Sequence, residues 1–98
     1  MKKTHVKFAD DHPTAAGHFP GNPIIPGALL LAEVLRAITL AEEMVLDSCN
    51  VKAAKFLHPA RPGDSVEIEY QVSPKNVIDF SCAVGTVKVL SGVVSASA

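Results

Sequence analysis

His18-Phe19-Pro20-Gly21-Asn22-Pro23-Ile24-Ile25-Pro26-Gly27 runs directly into Ala28-Leu29-Leu30-Leu31-Ala32-Glu33. Three prolines stiffen the loop by fixing φ, and two glycines let the backbone approach a ligand closely. Pro26 suits the first turn of a helix, where its missing N–H costs nothing. From there the apolar residues are dense: Leu29, Leu30, Leu31, Val34, Leu35, Ile38, Leu40, Val45 and Leu46. This run predicts a helix from Pro26 to about Leu46, ending near Asp47-Ser48. Its first half is apolar on nearly every face and is expected to be largely buried. A stiff loop therefore presents an imidazole just ahead of a helix N-terminus, an arrangement suited to acid–base chemistry.

Outward from this stretch, the chain reads as strands. Thr4 to Ala9 alternates polar and apolar residues, and Asp10 to Asn22 carries loop composition. After the helix, Val51 to Leu57 reads as a strand, and His58-Pro59-Ala60-Arg61-Pro62-Gly63-Asp64 as a turn-rich connection. Ser65 to Val72 places Val66, Ile68, Tyr70 and Val72 on one face and Glu67, Glu69 and Gln71 on the other. Ser73-Pro74-Lys75-Asn76 is a turn. Val77 to Val89 and Val93 to Ala98 supply further strands, with Ser91-Gly92 read as the turn between them. The order predicts an α+β domain: one long helix packed on an antiparallel sheet.

The chain has 98 residues, so one domain over 1–98 is expected. Its hydrophobic content is 48%. So small a domain has little interior, and a long apolar helix plus apolar strands exceed what one protomer buries, which favours a homodimer or higher homo-oligomer. A net charge of −1 argues against a nucleic-acid surface. Cys49 and Cys82 fit no metal-ligand spacing and read as buried thiols in a reducing compartment. No metal and no cofactor is implied. The start, Met1-Lys2-Lys3-Thr4-His5, leads into no apolar core of signal-peptide length, and no apolar stretch is long enough to span a bilayer. A cytoplasmic location is the expectation.

Gly17-His18-Phe19-Pro20-Gly21-Asn22-Pro23-Ile24-Ile25-Pro26-Gly27 resembles the signature of the hot-dog-fold 3-hydroxyacyl-[acyl-carrier-protein] dehydratases. Ala54-Lys55-Phe56-Leu57-His58-Pro59-Ala60-Arg61-Pro62-Gly63-Asp64 resembles that family's strand and turn after the helix. The N-terminus is shorter than is usual there, as in a minimal member. The resemblance implies a sheet wrapped around a central helix. It also implies dehydration of 3-hydroxyacyl thioesters to trans-2-enoyl thioesters in fatty-acid-like biosynthesis, on acyl carrier protein or coenzyme A. His18 would remove the C2 proton, a task that suits a neutral imidazole. A backbone N–H near Gly27 would hold the thioester oxygen, helped by the helix dipole. Phe19, Pro20, Gly21, Pro26 and Gly27 would shape the substrate site. In the family the base and the acid come from different protomers.

One position departs from the pattern. The family's acid lies fourteen residues after the signature histidine, and here that residue is Ala32, with Glu33 beside it. On a regular helix one residue is a rotation of ~100°. Three readings stay open: a helix bulge brings Glu33 to the site; the acid comes from Asp10, Asp11, His12 or water; or the acid is lost. Each residue also has a plainer reading. Glu33 and Arg36 stand at i,i+3 and suit a surface pair. Ala32 suits core packing, and His5 and His58 suit surface or turn positions. Arg36, Lys52, Lys55 and Arg61 are either a basic rim for an acidic carrier or dispersed solvated charges. Two further functions compete: a hot-dog thioesterase, and a non-catalytic acyl-thioester-binding or partner subunit, which Ala32 favours.

Overall fold

The computed structural model describes residues 1–9, 24–44 and 48–97. Strand β1 (Lys2–Lys7) is followed by helix α1 (Gly27–Ala41) and strands β2 (Ser48–Phe56), β3 (Ser65–Val72), β4 (Val77–Val84) and β5 (Val87–Ser97). The strands form one antiparallel sheet in the order β1-β3-β4-β5-β2. The alternation expected of Ser65 to Val72 is present: Val66, Ile68 and Tyr70 are buried, while Glu67, Glu69 and Gln71 are exposed. Ile78, Phe80, Cys82, Leu90 and Val94 continue that buried layer across the sheet.

Helix α1 lies on this layer through Leu30, Val34 and Ile38, which share one stripe at four-residue spacing. Full burial of each contributes about 1.5–3 kcal/mol. The first half of the helix is buried on that stripe only. Ala28 and Ala32 are exposed, and Leu29, Leu31 and Leu35 are half-buried. The expectations of a largely buried first half and of Ala32 in the core are therefore corrected. One sheet covers one face of a helix, and the described residues supply no second layer.

The helix also ends earlier than expected. The Met44 N–H donates to Thr39 O at 2.9 Å, and the Glu43 N–H to Leu40 O at 3.3 Å. Glu43 has φ 54, so this is a Schellman stop with glutamate where glycine is usual. Met44 packs against the core beside it. The expected continuation through Val45 and Leu46 falls among residues outside those described.

Ser91-Gly92 is not a turn. The hairpin turn is Gly85-Thr86, with Gly85 at φ 60, and β5 runs through Gly92 without a break. Gly92 serves close packing instead: a Cβ there would stand 2.6 Å from Ala53 O and 2.8 Å from Phe80 Cζ. Cys82 is buried as expected, but Cys49 is exposed because it lies on β2, an edge strand that nothing described covers.

The far end of the helix is tied to the sheet by a carboxylate. Glu42 accepts from Lys2 Nζ and from Tyr70 Oη, both at 2.7 Å. The Lys2 ammonium and the Tyr70 hydroxyl hold the Glu42 carboxyl below the usual carboxylate range. Burial, with Glu42 adding to it, pushes the Tyr70 phenol up to about 12.

Replacing Gly92 by Ala is expected to destabilise the fold by about 1–3 kcal/mol, as overpacking does; urea unfolding measures it. The Glu42 contribution has a defined sign. A carboxyl that titrates lower in the folded state stabilises above the usual carboxylate range, and the effect is lost as pH falls through the folded value. Glu42→Gln is therefore expected to be less stable than the parent at neutral pH, and the gap to close as pH is lowered. A gap that stays constant with pH would contradict this role.

Candidate active site

The start of α1 is set by a turn far along the chain. Arg61-Pro62-Gly63-Asp64 closes with the Asp64 N–H donating to Arg61 O at 3.0 Å, with Gly63 at φ 90. Proline second and a positive-φ glycine third are what a type II turn requires. The Asp64 carboxylate accepts from the Arg61 N–H at 2.8 Å and braces the turn. On one side, Phe8 and the turn exchange backbone bonds: the Phe8 N–H donates to Asp64 O at 3.0 Å, and the Gly63 N–H to Phe8 O at 2.9 Å. On the other side, the Ile25 N–H donates to Ala60 O at 2.7 Å, and Ile25 and Ala60 are both buried. The chain on either side of the histidine signature is thus held by this turn and by Ala60, the residue that leads into it.

From Ile25 the chain enters the helix through Pro26, whose φ of −55 and ψ of 140 are extended. Among the described residues no side chain caps this end, and the first turn carries no acidic residue. The first-turn N–H groups have no acceptor within the helix and aim outward with the positive end of the helix dipole. Gly27 sits close under the Phe56 ring: a Cβ would stand 3.0 Å from Phe56 Cε1, so the half-exposed ring would have to shift.

A groove of about 270 Å³ lies at this helix start. Ile24, Ile25, Gly27 and Leu30 line one side, and Phe56, Leu57, His58, Pro59 and Ala60 the other. Its walls are apolar, and His58 is the single titratable side chain among the described lining residues. Phe56 is 50% exposed and Leu57 39% exposed, so the rim presents large apolar surface.

Of the residues singled out from sequence, Pro26 and Gly27 meet at this helix start. His18, Phe19, Pro20 and Gly21 lie outside the described residues, as do Asp10, Asp11 and His12. Glu33 is not in the groove. Its Oε2 stands 3.6 Å from Arg36 Nη1, and it lines a separate surface of about 520 Å³ with Thr4, His5, Val6 and Lys7 of the β1 edge. No bulge shifts it within α1, which runs as one α-helix. Ala32 is exposed on the stripe that holds Ala28 and Arg36. His58, read from sequence as a turn residue, is exposed as expected but also lines the groove. A wider groove of about 710 Å³ crosses the outer sheet face over Lys3, His5, Glu67 and Glu69, and none of the expected site residues lines it.

The ApeI-like family profile, described as ApeI dehydratase, matches residues 2–93. The chain belongs to the ApeI-like dehydratase family. Similar to it among curated proteins is the 3-hydroxyacyl-[acyl-carrier-protein] dehydratase FabZ of Caulobacter vibrioides (strain NA1000 / CB15N). It is 32% identical over 71 residues, which are 63% of this chain and 45% of that protein. The chain thus spans about half the length of the curated relative it matches. Among solved structures, the dehydratase heterocomplex ApeI:P from Xenorhabdus doucetiae aligns at a TM-score of 0.77 and 18% identity, covering 98% of this chain and 86% of that one. The fluoroacetyl-CoA thioesterase FlK aligns at a TM-score of 0.66 and 12% identity, covering 98% of this chain and 84% of that one. These likenesses show the fold, an α+β hot-dog. Among the described residues, no helix of this ApeI-like chain is long and apolar enough to cross a membrane.

If the type II turn holds both flanks of the signature, straining it loosens both. Gly63→Ala places a Cβ at φ 90, at a cost of about 1–2 kcal/mol. Amide hydrogen exchange at Phe8 and Ile25 is expected to quicken more than exchange within β4. Equal acceleration in all three would show that the turn is not the clamp.

Proposed function

We propose that this chain dehydrates 3-hydroxyacyl thioesters to trans-2-enoyl thioesters, in fatty-acid-like biosynthesis, with the acyl group carried on acyl carrier protein or coenzyme A. The observation that carries this reading is the start of α1 at Gly27, where no described side chain caps the helix and an apolar groove opens, separated by five residues from the intact His18-Phe19-Pro20-Gly21 signature. The C2 proton of such a thioester is easier to remove when donors hold its carbonyl oxygen, where negative charge develops. Outward N–H groups at a helix start supply these without reorganising. His18 takes the proton. Phe19, Pro20, Gly21, Pro26 and Gly27 shape the approach, with Phe56 lying beside Gly27 at the groove rim.

The working unit in this reading is a homodimer. Every described β2 side chain from Cys49 to Phe56 is exposed, and Val51, Phe56 and Leu57 leave large apolar area in water. An uncovered apolar edge strand is a pairing surface. Pairing of β2 between copies would cover it and bring a second chain toward the groove rim at Phe56. Lys52 and Lys55, exposed on the same strand, would flank an acidic carrier.

A second reading rests on Ala32: an acyl-thioester-binding or partner subunit without turnover. The solved relative named as a heterocomplex is compatible with it. Thioester hydrolysis has less support, since the thioesterase likeness is one of fold.

Hydration of a crotonyl thioester, the reverse reaction, followed by loss of enoyl absorbance, separates these readings. The full chain is expected to hydrate it, and His18→Ala to lower the rate by about 10²–10⁴, the range for loss of a general base. Binding of the thioester without hydration supports the partner-subunit reading. Hydration unchanged in His18→Ala removes His18 from the chemistry.

A further inference from the structure

Dehydration needs a proton donor for the departing hydroxyl as well as a base, and α1 offers none at the groove. Position 32 is an exposed alanine, and Glu33 is turned to Arg36 at 3.6 Å on the β1 side of the helix. The groove at the helix start holds one described titratable side chain, His58.

We infer that His58 is the proton donor of this site, in place of a helix carboxylate. The inference rests on the dehydratase reading above and deepens it. His58 lines the groove, and the backbone on both sides of this residue is held. It follows Leu57, whose N–H donates to Val89 O at 2.9 Å and fixes the end of the β2 segment to β5. Pro59 follows it and restricts its backbone to extended conformations. Ala60, two residues on, is fully buried and bonded to Ile25 at 2.7 Å. His58 is therefore carried between two anchored neighbours on a groove that Gly27 also lines, and a charged imidazole is a donor at both ring nitrogens.

The step balances. His18 takes the C2 proton. The C2–H electron pair becomes the C2=C3 double bond, and the C3–O pair leaves with the oxygen. The protonated His58 gives that oxygen a proton, and water departs. His18 ends protonated and His58 neutral, and solvent restores both. In hydration the same two groups act in reverse: neutral His58 takes a proton from the attacking water, and protonated His18 delivers one to C2.

The test compares His58→Gln, Glu33→Gln and the parent chain. Crotonyl-thioester hydration is measured together with binding of butyryl thioester, which cannot react. His58→Gln is expected to lower hydration by about 10²–10⁴ with butyryl-thioester binding and melting temperature unchanged, while Glu33→Gln keeps the parent rate. Parent-like hydration in His58→Gln overturns the assignment. So does a loss that tracks lost binding or lost folding, or a loss that appears in Glu33→Gln instead. A parent chain that hydrates nothing overturns the dehydratase reading itself, an outcome distinct from the other three.

Discussion

The two backbone bonds that fasten the flanks of the signature to Ala60 and to the turn that follows it constrain everything around the candidate site. Ile25 is held by Ala60 at 2.7 Å and Phe8 by Asp64 at 3.0 Å. Backbone bonds of this kind, made at buried positions, are costly to leave unmade. They set where α1 begins, and hence where its first-turn N–H groups aim. Arg61-Pro62-Gly63-Asp64 can serve as the clamp because its conformation is local: proline presets one residue and a positive-φ glycine the next. The part of the site nearest the chemistry therefore depends on a turn that does no chemistry.

The second organising feature is one-sided burial. Leu30, Val34 and Ile38 occupy the sheet's apolar face with one helical stripe, and nothing described covers the opposite one. β2 is in the same position at the sheet edge, with Phe56 packed over Gly27 yet half in water. The end of β2 reaches the groove through Phe56, with Leu57 beside it. A site opening between a helix start and an uncovered strand is well placed to be completed by a second chain, which fits the homodimer reading.

Much of the architecture was legible in residue pattern. Period-two alternation placed Ser65 to Val72 and its buried face because an antiparallel strand under one helix has one wet side. Pro26 marked the helix start because proline is tolerated there. Three features were not legible. Ser91-Gly92 resembles a turn by composition, but Gly92 answers to Phe80 and Ala53 O on neighbouring strands. The helix stop at Glu43 uses a residue with no local preference for positive φ. The Glu42 link to Lys2 and Tyr70 joins residues 40 and 28 positions apart. The one signal for Glu42 was a buried-face tyrosine, whose hydroxyl needs a partner.

Residue order alone was enough for the α+β class, the single long helix and the strand faces, while the roles of His18 and of position 32 are what the family resemblance implies. The first three are properties of local spacing and residue chemistry, which survive without knowledge of neighbours. The packed chain was needed to settle that Glu33 turns toward Arg36 on the β1 side, that Ala32 faces outward, and that His58 shares a groove with Gly27. Helix rotation about its own axis is set by which stripe the sheet buries, and the nearness of residues 27 and 58 is set by a hydrogen bond between residues 25 and 60. Neither is a property of any short stretch of chain.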